Sequence, residues 1–121
     1  MGQHDYKKLL VWNSAVELAV TIYSISSDFP KKEVYGLISQ MQRSSVSISS
    51  NIAEGAGRNS NKSFAQFLSI AYGSACELET QVIIASRLNY ISNEKAEEIM
   101  SSIQSIQKMI YNLINKMKTV E

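Results

Sequence analysis

Gln40, Arg43, Ser47, Asn51 (or Ser50), Glu54 and Arg58 recur every three or four residues, so in a helix they share one face. An amide, a carboxylate and a guanidinium on one stripe can hold a polar partner or a phosphate. Asn51, Glu54 and Arg58 close that row and are the candidate contacts for a partner or nucleic acid. Catalysis is a poorer fit. The surrounding run, QRSSVSISSNIAEGAGR (Gln42–Arg58), is rich in serines, but no histidine or lysine stands near to activate one. The lone histidine, His4, belongs to the N-terminal tail, and Ile48 occupies the place where an Arg-x4-His ribonuclease pair starting at Arg43 would need its histidine. No Glu-x-x-His pair is present to build a di-iron site in a bundle. We therefore expect no catalytic residue, no metal, no cofactor and no small-molecule substrate.

The same run is also a structural puzzle, because serine hydroxyls compete for nearby backbone groups and weaken a helix. Small side chains do, however, let two helices approach closely. If the chain turns back near Arg58, hairpin symmetry sets Arg43 near Ala75–Glu77, and Ser44 and Ser45 opposite Gly73 and Ser74. On that register Arg43 and Glu77 form an ion pair at the rim of the seam. Gly73, which costs about 1 kcal/mol inside a helix, would be tolerated for close contact. Gly55-Ala56-Gly57 reads as a left-handed helix cap rather than a phosphate cradle, since no strand precedes it and no lysine-serine pair follows.

The elements that carry these residues are helical throughout. The single proline, Pro30, ends a first helix of about 10–27, and the later breaks near Gly55–Asn61 and Asn89–Asn93 leave helices of about 32–56, 62–89 and 93–118. Val11, Ala15, Leu18, Ile22 and Ile25 line the first core face, and Leu37, Met41, Ser45, Ile48 and Ile52 the second. Phe64, Phe67, Ala71, Ala75, Leu78, Val82 and Ala85 line the third, and Ala96, Ile99, Ile103, Ile106, Ile110, Leu113 and Met117 the fourth. No run alternates with a period of two. Short loops make sequential helices antiparallel neighbours, so the 121 residues form one domain, an all-α, up-down-up-down four-helix bundle.

Composition narrows the function classes. Apolar residues make up 45% of the chain and charged residues 19%, with a net charge of +1. That balance does not by itself mark a nucleic-acid binder. Tyr6, Lys7, Lys8, Lys108, Lys116 and Lys118 give modest positive ends, and with Arg58 they are the first candidates for phosphate contact. Tyr23, Tyr35 and Tyr72 are expected to pack at seams rather than stack on bases. The lone Cys76, beside Ala75 and Leu78, reads as a small core residue in a reducing compartment. No signal peptide or membrane span is visible, which predicts a cytoplasmic location with no membrane partner. Helix 1 is apolar on more than half its circumference, and Ile70, Ile83 and Ile84 lie off the main seam of helix 3. That excess predicts a homo-oligomer.

Val11–Ala19 (VWNSAVELA), Ile22–Arg58 with its NIAEGAGR element, and Phe67–Gln81 with GSACELE together resemble the bacterial 23S rRNA intervening sequence proteins. There is a more distant similarity to the accessory variability determinant of diversity-generating retroelements. The resemblance covers nearly the whole chain. It implies a four-helix bundle assembled as a ring-like pentamer, and a non-enzymatic scaffold that binds RNA or an RNA-handling protein. A structural interaction module without a nucleic-acid role is the alternative.

Overall fold

In a computed structural model, which describes residues 4–119, four helices follow one another: α1 (Leu10–Ser26), α2 (Leu37–Ala56), α3 (Asn61–Arg87) and α4 (Asn93–Thr119). No strand occurs among the described residues. Each helix packs on the next, and α1 closes the ring on α4 through the loosest of the four seams. Short 3-10 turns at Tyr6–Lys8 and Lys31–Glu33 precede α1 and α2. No helix of the described residues is long and apolar enough to cross a membrane.

Local chemistry explains the helix ends. The Ser60 hydroxyl accepts from the Ser63 amide at 3.1 Å, and Ser92 does the same for Lys95 at 3.1 Å, each satisfying an otherwise orphaned donor of a first turn. At the end of α3, Asn89 takes the left-handed conformation (φ 63°), and the Tyr90 amide reaches back to the Ala85 carbonyl at 2.9 Å. Gly57 does not take that role after α2: its φ is −83°, an ordinary right-handed value.

α2 begins at Leu37, later than the expected 32. Gly36 lies outside helical geometry (φ −115°, ψ −113°), and the Glu33 carboxylate takes over the cap by accepting from the Leu37 amide at 3.2 Å. The Tyr90 hydroxyl donates to the other Glu33 oxygen at 2.8 Å, tying the α1–α2 connection to the α3–α4 connection. The Tyr90 hydrogen bond first, and the Leu37 amide second, hold the Glu33 carboxyl below the ordinary carboxylate range. The same bond to Glu33 raises the Tyr90 phenol above its ordinary value. A depressed acid stabilises the fold above its unfolded pKa, so this contribution is lost as pH falls below about 4.5. A raised phenol contributes below its unfolded pKa, a contribution lost as pH climbs past about 10.0. Urea unfolding at pH 7 and at pH 3 checks the acid limb. Tyr90→Phe should lose less stability across that interval than the natural chain, and equal losses would show that this clasp is idle.

The core follows the expected faces, with Ile25 and Leu113 only partly buried at its margin and two corrections on α3. Leu68 is wholly buried where Phe67 was expected, and Phe67 lies half-buried on the flank. Cys76 is exposed rather than a core residue. The inward row of α3 runs through Ala71, Ala75, Leu78 and Val82, so position 76 falls about 100° round from its buried neighbour. α1 and α2 also share a polar clasp: Gln42 Nε2 donates to the buried Ser26 hydroxyl at 3.1 Å.

Candidate interaction surface

Two serines of α2, Ser44 and Ser47, face α3. Ser44 donates to Glu77 Oε1 at 3.3 Å, and the Ser47 and Ser74 hydroxyls meet at 2.8 Å. Asn51 spends its amide N–H groups one turn back, on the Ser47 carbonyl (2.8 Å) and hydroxyl (3.0 Å). Ser45 is buried and returns its proton to the Gln42 carbonyl at 2.9 Å. Hydroxyls that would weaken an isolated helix are thus absorbed within α2 or across the seam.

The register differs from hairpin symmetry by nearly a turn, since Ser44 meets Glu77 and Ser47 meets Ser74. Side chains lean toward the N-terminus of their own helix. In an antiparallel pair, α2 side chains therefore lean away from the connecting turn and α3 side chains lean toward it. Each lean displaces the contact by about one residue in the same sense.

That displacement overturns two expectations. No ion pair joins Arg43 to Glu77 among the described residues; the two share one cleft, and Glu77 accepts from Ser44 instead. Gly73 is not a close-approach position, because a Cβ added there meets nothing within 4 Å. The close approach belongs to Gly55, where an added Cβ would lie 2.7 Å from Phe67 Cβ and 2.9 Å from Phe64 Cδ1.

Of the three candidate contacts, Glu54 and Arg58 come together in a 2.9 Å ion pair about half exposed on both sides. Arg58 also lies 4.8 Å from the Phe67 ring centroid. An exposed i,i+4 pair contributes about 0.3–0.5 kcal/mol, so this contact orients Arg58 more than it stabilises the fold. Asn51 turns into the seam, and no hydrogen bond connects it to the other two. Cys76 has a weak contact from Gln107 Nε2 at 3.8 Å.

The tertiary fold gathers charge in a way that the net value conceals. The His4 amide bonds the Ala56 carbonyl at 3.0 Å, and Met117 and Lys118 line a cleft with Asn61 and Lys62. Both ends of the described residues therefore meet at the α2–α3 turn. The alternating helix directions put Lys7, Lys8, Arg58, Lys62, Lys116 and Lys118 at this end of the bundle, with Asp5 and Glu54. The opposite end carries Lys31, Lys32, Arg87 and Lys95 against Asp28, Glu33, Glu94, Glu97 and Glu98. Lys108, about three turns before the end of α4, stands apart from the basic end. Lys62 is the member that sequence reasoning missed, although antiparallel topology alone would have placed it there.

The aromatic expectation also changes. Tyr72 packs on the core, but Tyr23 is 47% exposed and Tyr35 is 97% exposed. Uncovered apolar residues persist on α1 (Leu10, Val20) and on α3 (Ile70, Ile83, Ile84). Among the described residues, no group of three or more His, Cys, Asp or Glu side chains could hold a metal ion.

The sequence profile of a family described as 23S rRNA-intervening sequence protein matches residues 7–112. A solved structure from Bacteroides thetaiotaomicron, described as a protein of unknown function from the S23 ribosomal protein family, is similar in fold and sequence. It superposes with a TM-score of 0.79 at 29% identity, covering 87% of this chain and 98% of that one. No curated protein matches.

Proposed function

The chain belongs to the 23S rRNA-intervening sequence protein family, and on that premise we propose that it is a non-enzymatic, cytoplasmic scaffold that self-associates and holds RNA at its basic end. The observation that carries the reading is the convergence of Lys7, Lys8, Arg58, Lys62, Lys116 and Lys118 around the α2–α3 turn. Phosphate contacts supply most of the affinity of a protein for nucleic acid without requiring a catalytic group. The uncovered α1 and α3 residues supply apolar surface for self-association, and the resemblance makes a pentamer the expected assembly. Light scattering at micromolar concentration tests that part; a monomer mass throughout would count against it.

The RNA part is tested by fluorescence anisotropy with a single-stranded RNA at rising salt. Engagement of about four phosphates gives a log–log slope near −3, or roughly a fiftyfold loss between about 50 and about 200 mM salt. Lys7→Glu with Lys116→Glu should weaken binding at every salt concentration and flatten the slope. Affinity that ignores salt, or no binding near physiological salt, overturns the RNA reading. It would leave the alternative, an interaction module that meets an RNA-handling or other protein through the same helices.

A further inference from the structure

A second polar feature lies along the α2–α3 seam, well away from the basic end. A cleft of about 430 Å³ opens between the two helices, with Tyr35, Arg43 and Ser44 on one side and Glu77 and Gln81 on the other. Three of these side chains are in states that internal packing does not explain. Tyr35 is 97% exposed, an aromatic ring almost entirely in solvent. The Arg43 guanidinium has no hydrogen bond, ion pair or ring contact among the described residues. Gln81 is only 7% exposed, yet its Oε1 is buried without a donor. An unmet buried acceptor is costly and uncommon in a native fold.

From this set we infer that the cleft is a binding site for a guanine base. The α3 wall offers two Glu77 carboxylate oxygens as acceptors, one of which receives only a 3.3 Å bond from Ser44, and a rotation of the Gln81 amide would bring its orphan, buried Oε1 to the cleft. Guanine alone among the common bases carries three N–H bonds on one edge, one at N1 and two at N2. Its other edge presents the O6 and N7 acceptors, which match the fork of an arginine such as Arg43. Tyr35 supplies an exposed ring for stacking, as in single-stranded RNA recognition. Adenine and cytosine each bring a single amino donor group with a ring-nitrogen acceptor beside it, which a carboxylate repels. A guanidinium from a protein partner would satisfy the acceptors, but Arg43 on the opposite wall repels it. The source of the base is a free guanine nucleotide or a single-stranded RNA; only the second source rests on the RNA reading above.

Calorimetric titration of the full chain with GMP, IMP and AMP tests the site. GMP is expected to bind about tenfold more tightly than IMP, which lacks the N2 amine, with AMP weaker still. Glu77→Gln, Arg43→Met and Tyr35→Ala should each cost GMP affinity by roughly tenfold while circular dichroism stays unchanged. Should Glu77→Gln perturb the seam, Tyr35→Ala is fully outside it. The tetranucleotides UGUU and UAUU decide the source. Preference for UGUU without GMP binding assigns a base within RNA, and GMP binding without it assigns the free nucleotide. No preference for guanine in either pair overturns the inference. Reversing charge at Lys7 and Lys116 separates the two proposals, since it should weaken RNA binding but leave GMP preference intact.

Discussion

Phe64→Ala is expected to lower the unfolding free energy by about 3–5 kcal/mol, the usual cost of truncating a buried phenylalanine. Phe64 is 1% exposed at the first turns of α3. It touches three segments that meet only in the folded chain. Its ring lies against the Gly55 backbone of α2, and its centroid is 5.0 Å from the His4 ring in the N-terminal strap. Its own helix supplies the third surface. Neighbours anchored by backbone collapse poorly into a vacated space, and a residual cavity adds to the lost transfer energy. A small domain has only about 5–15 kcal/mol in all, so urea unfolding should find the variant close to marginal. A loss below about 1.5 kcal/mol would show that this end of the bundle closes up easily, and that Phe64 does not hold the α2–α3 turn.

The second large effect is a difference in sign between two helical glycines, Gly73 in the middle of α3 and Gly55 beside the last residue of α2. Alanine gains about 1 kcal/mol of helix propensity at an interior position such as Gly73, and less in a last turn. At Gly73 nothing lies within 4 Å of the new Cβ, so Gly73→Ala should stabilise the chain by about 0.5–1 kcal/mol. At Gly55 the new Cβ meets Phe67 Cβ at 2.7 Å and the Phe64 carbonyl at 3.2 Å. Those atoms are fixed to the α3 backbone and cannot swing aside, so the helices must separate. Overpacking of this kind costs about 1–3 kcal/mol, which outweighs the propensity gain. Gly55→Ala should therefore destabilise, and its cost should shrink in a Phe64→Ala background, where the ring atom Phe64 Cδ1, 2.9 Å from the new Cβ, is gone. Matching signs at the two positions would contradict the packing described here. A further reading comes from Gly73→Ala if the uncovered α3 face meets another copy: monomer stability would rise while the assembled mass falls.

The helices and their core faces were legible in the residues. α4 is the clearest case, with Ala96, Ile99, Ile103, Ile106, Ile110 and Met117 all buried as their spacing required. Helix periodicity is a local property, and a run of isoleucines at three and four declares its inward face whatever it packs against. The break near Asn89–Asn93 was legible for the same reason, since the Ser92 cap that follows it is a short-range bond between neighbours. The delayed start of α2 was less so, because its cap is the Glu33 carboxylate, itself held by Tyr90 from a distant connection.

The candidate contacts came through unevenly. Glu54 and Arg58 do form a unit, being one turn apart on a single helix. Arg43 and Glu77 did not pair, because their meeting depended on how two helices slide past one another. Tyr35 was expected at a seam and stands exposed in the turn before α2, and Cys76 was placed inside on its neighbours' account and stands outside. A rotation of one residue is enough to move a side chain from seam to solvent.

Composition and spacing along the chain were thus sufficient for four amphipathic helices, their order and their antiparallel fold, since each follows from hydrogen bonding and burial within a few turns. The register of α2 on α3, the choice of Gly55 over Gly73 as the close contact, and the gathering of dispersed lysines into one basic end arise from side-chain lean and from chain ends brought together. Those are relations between residues far apart in the chain. A net charge of +1 contains no information about where its charges meet; the antiparallel packing places them.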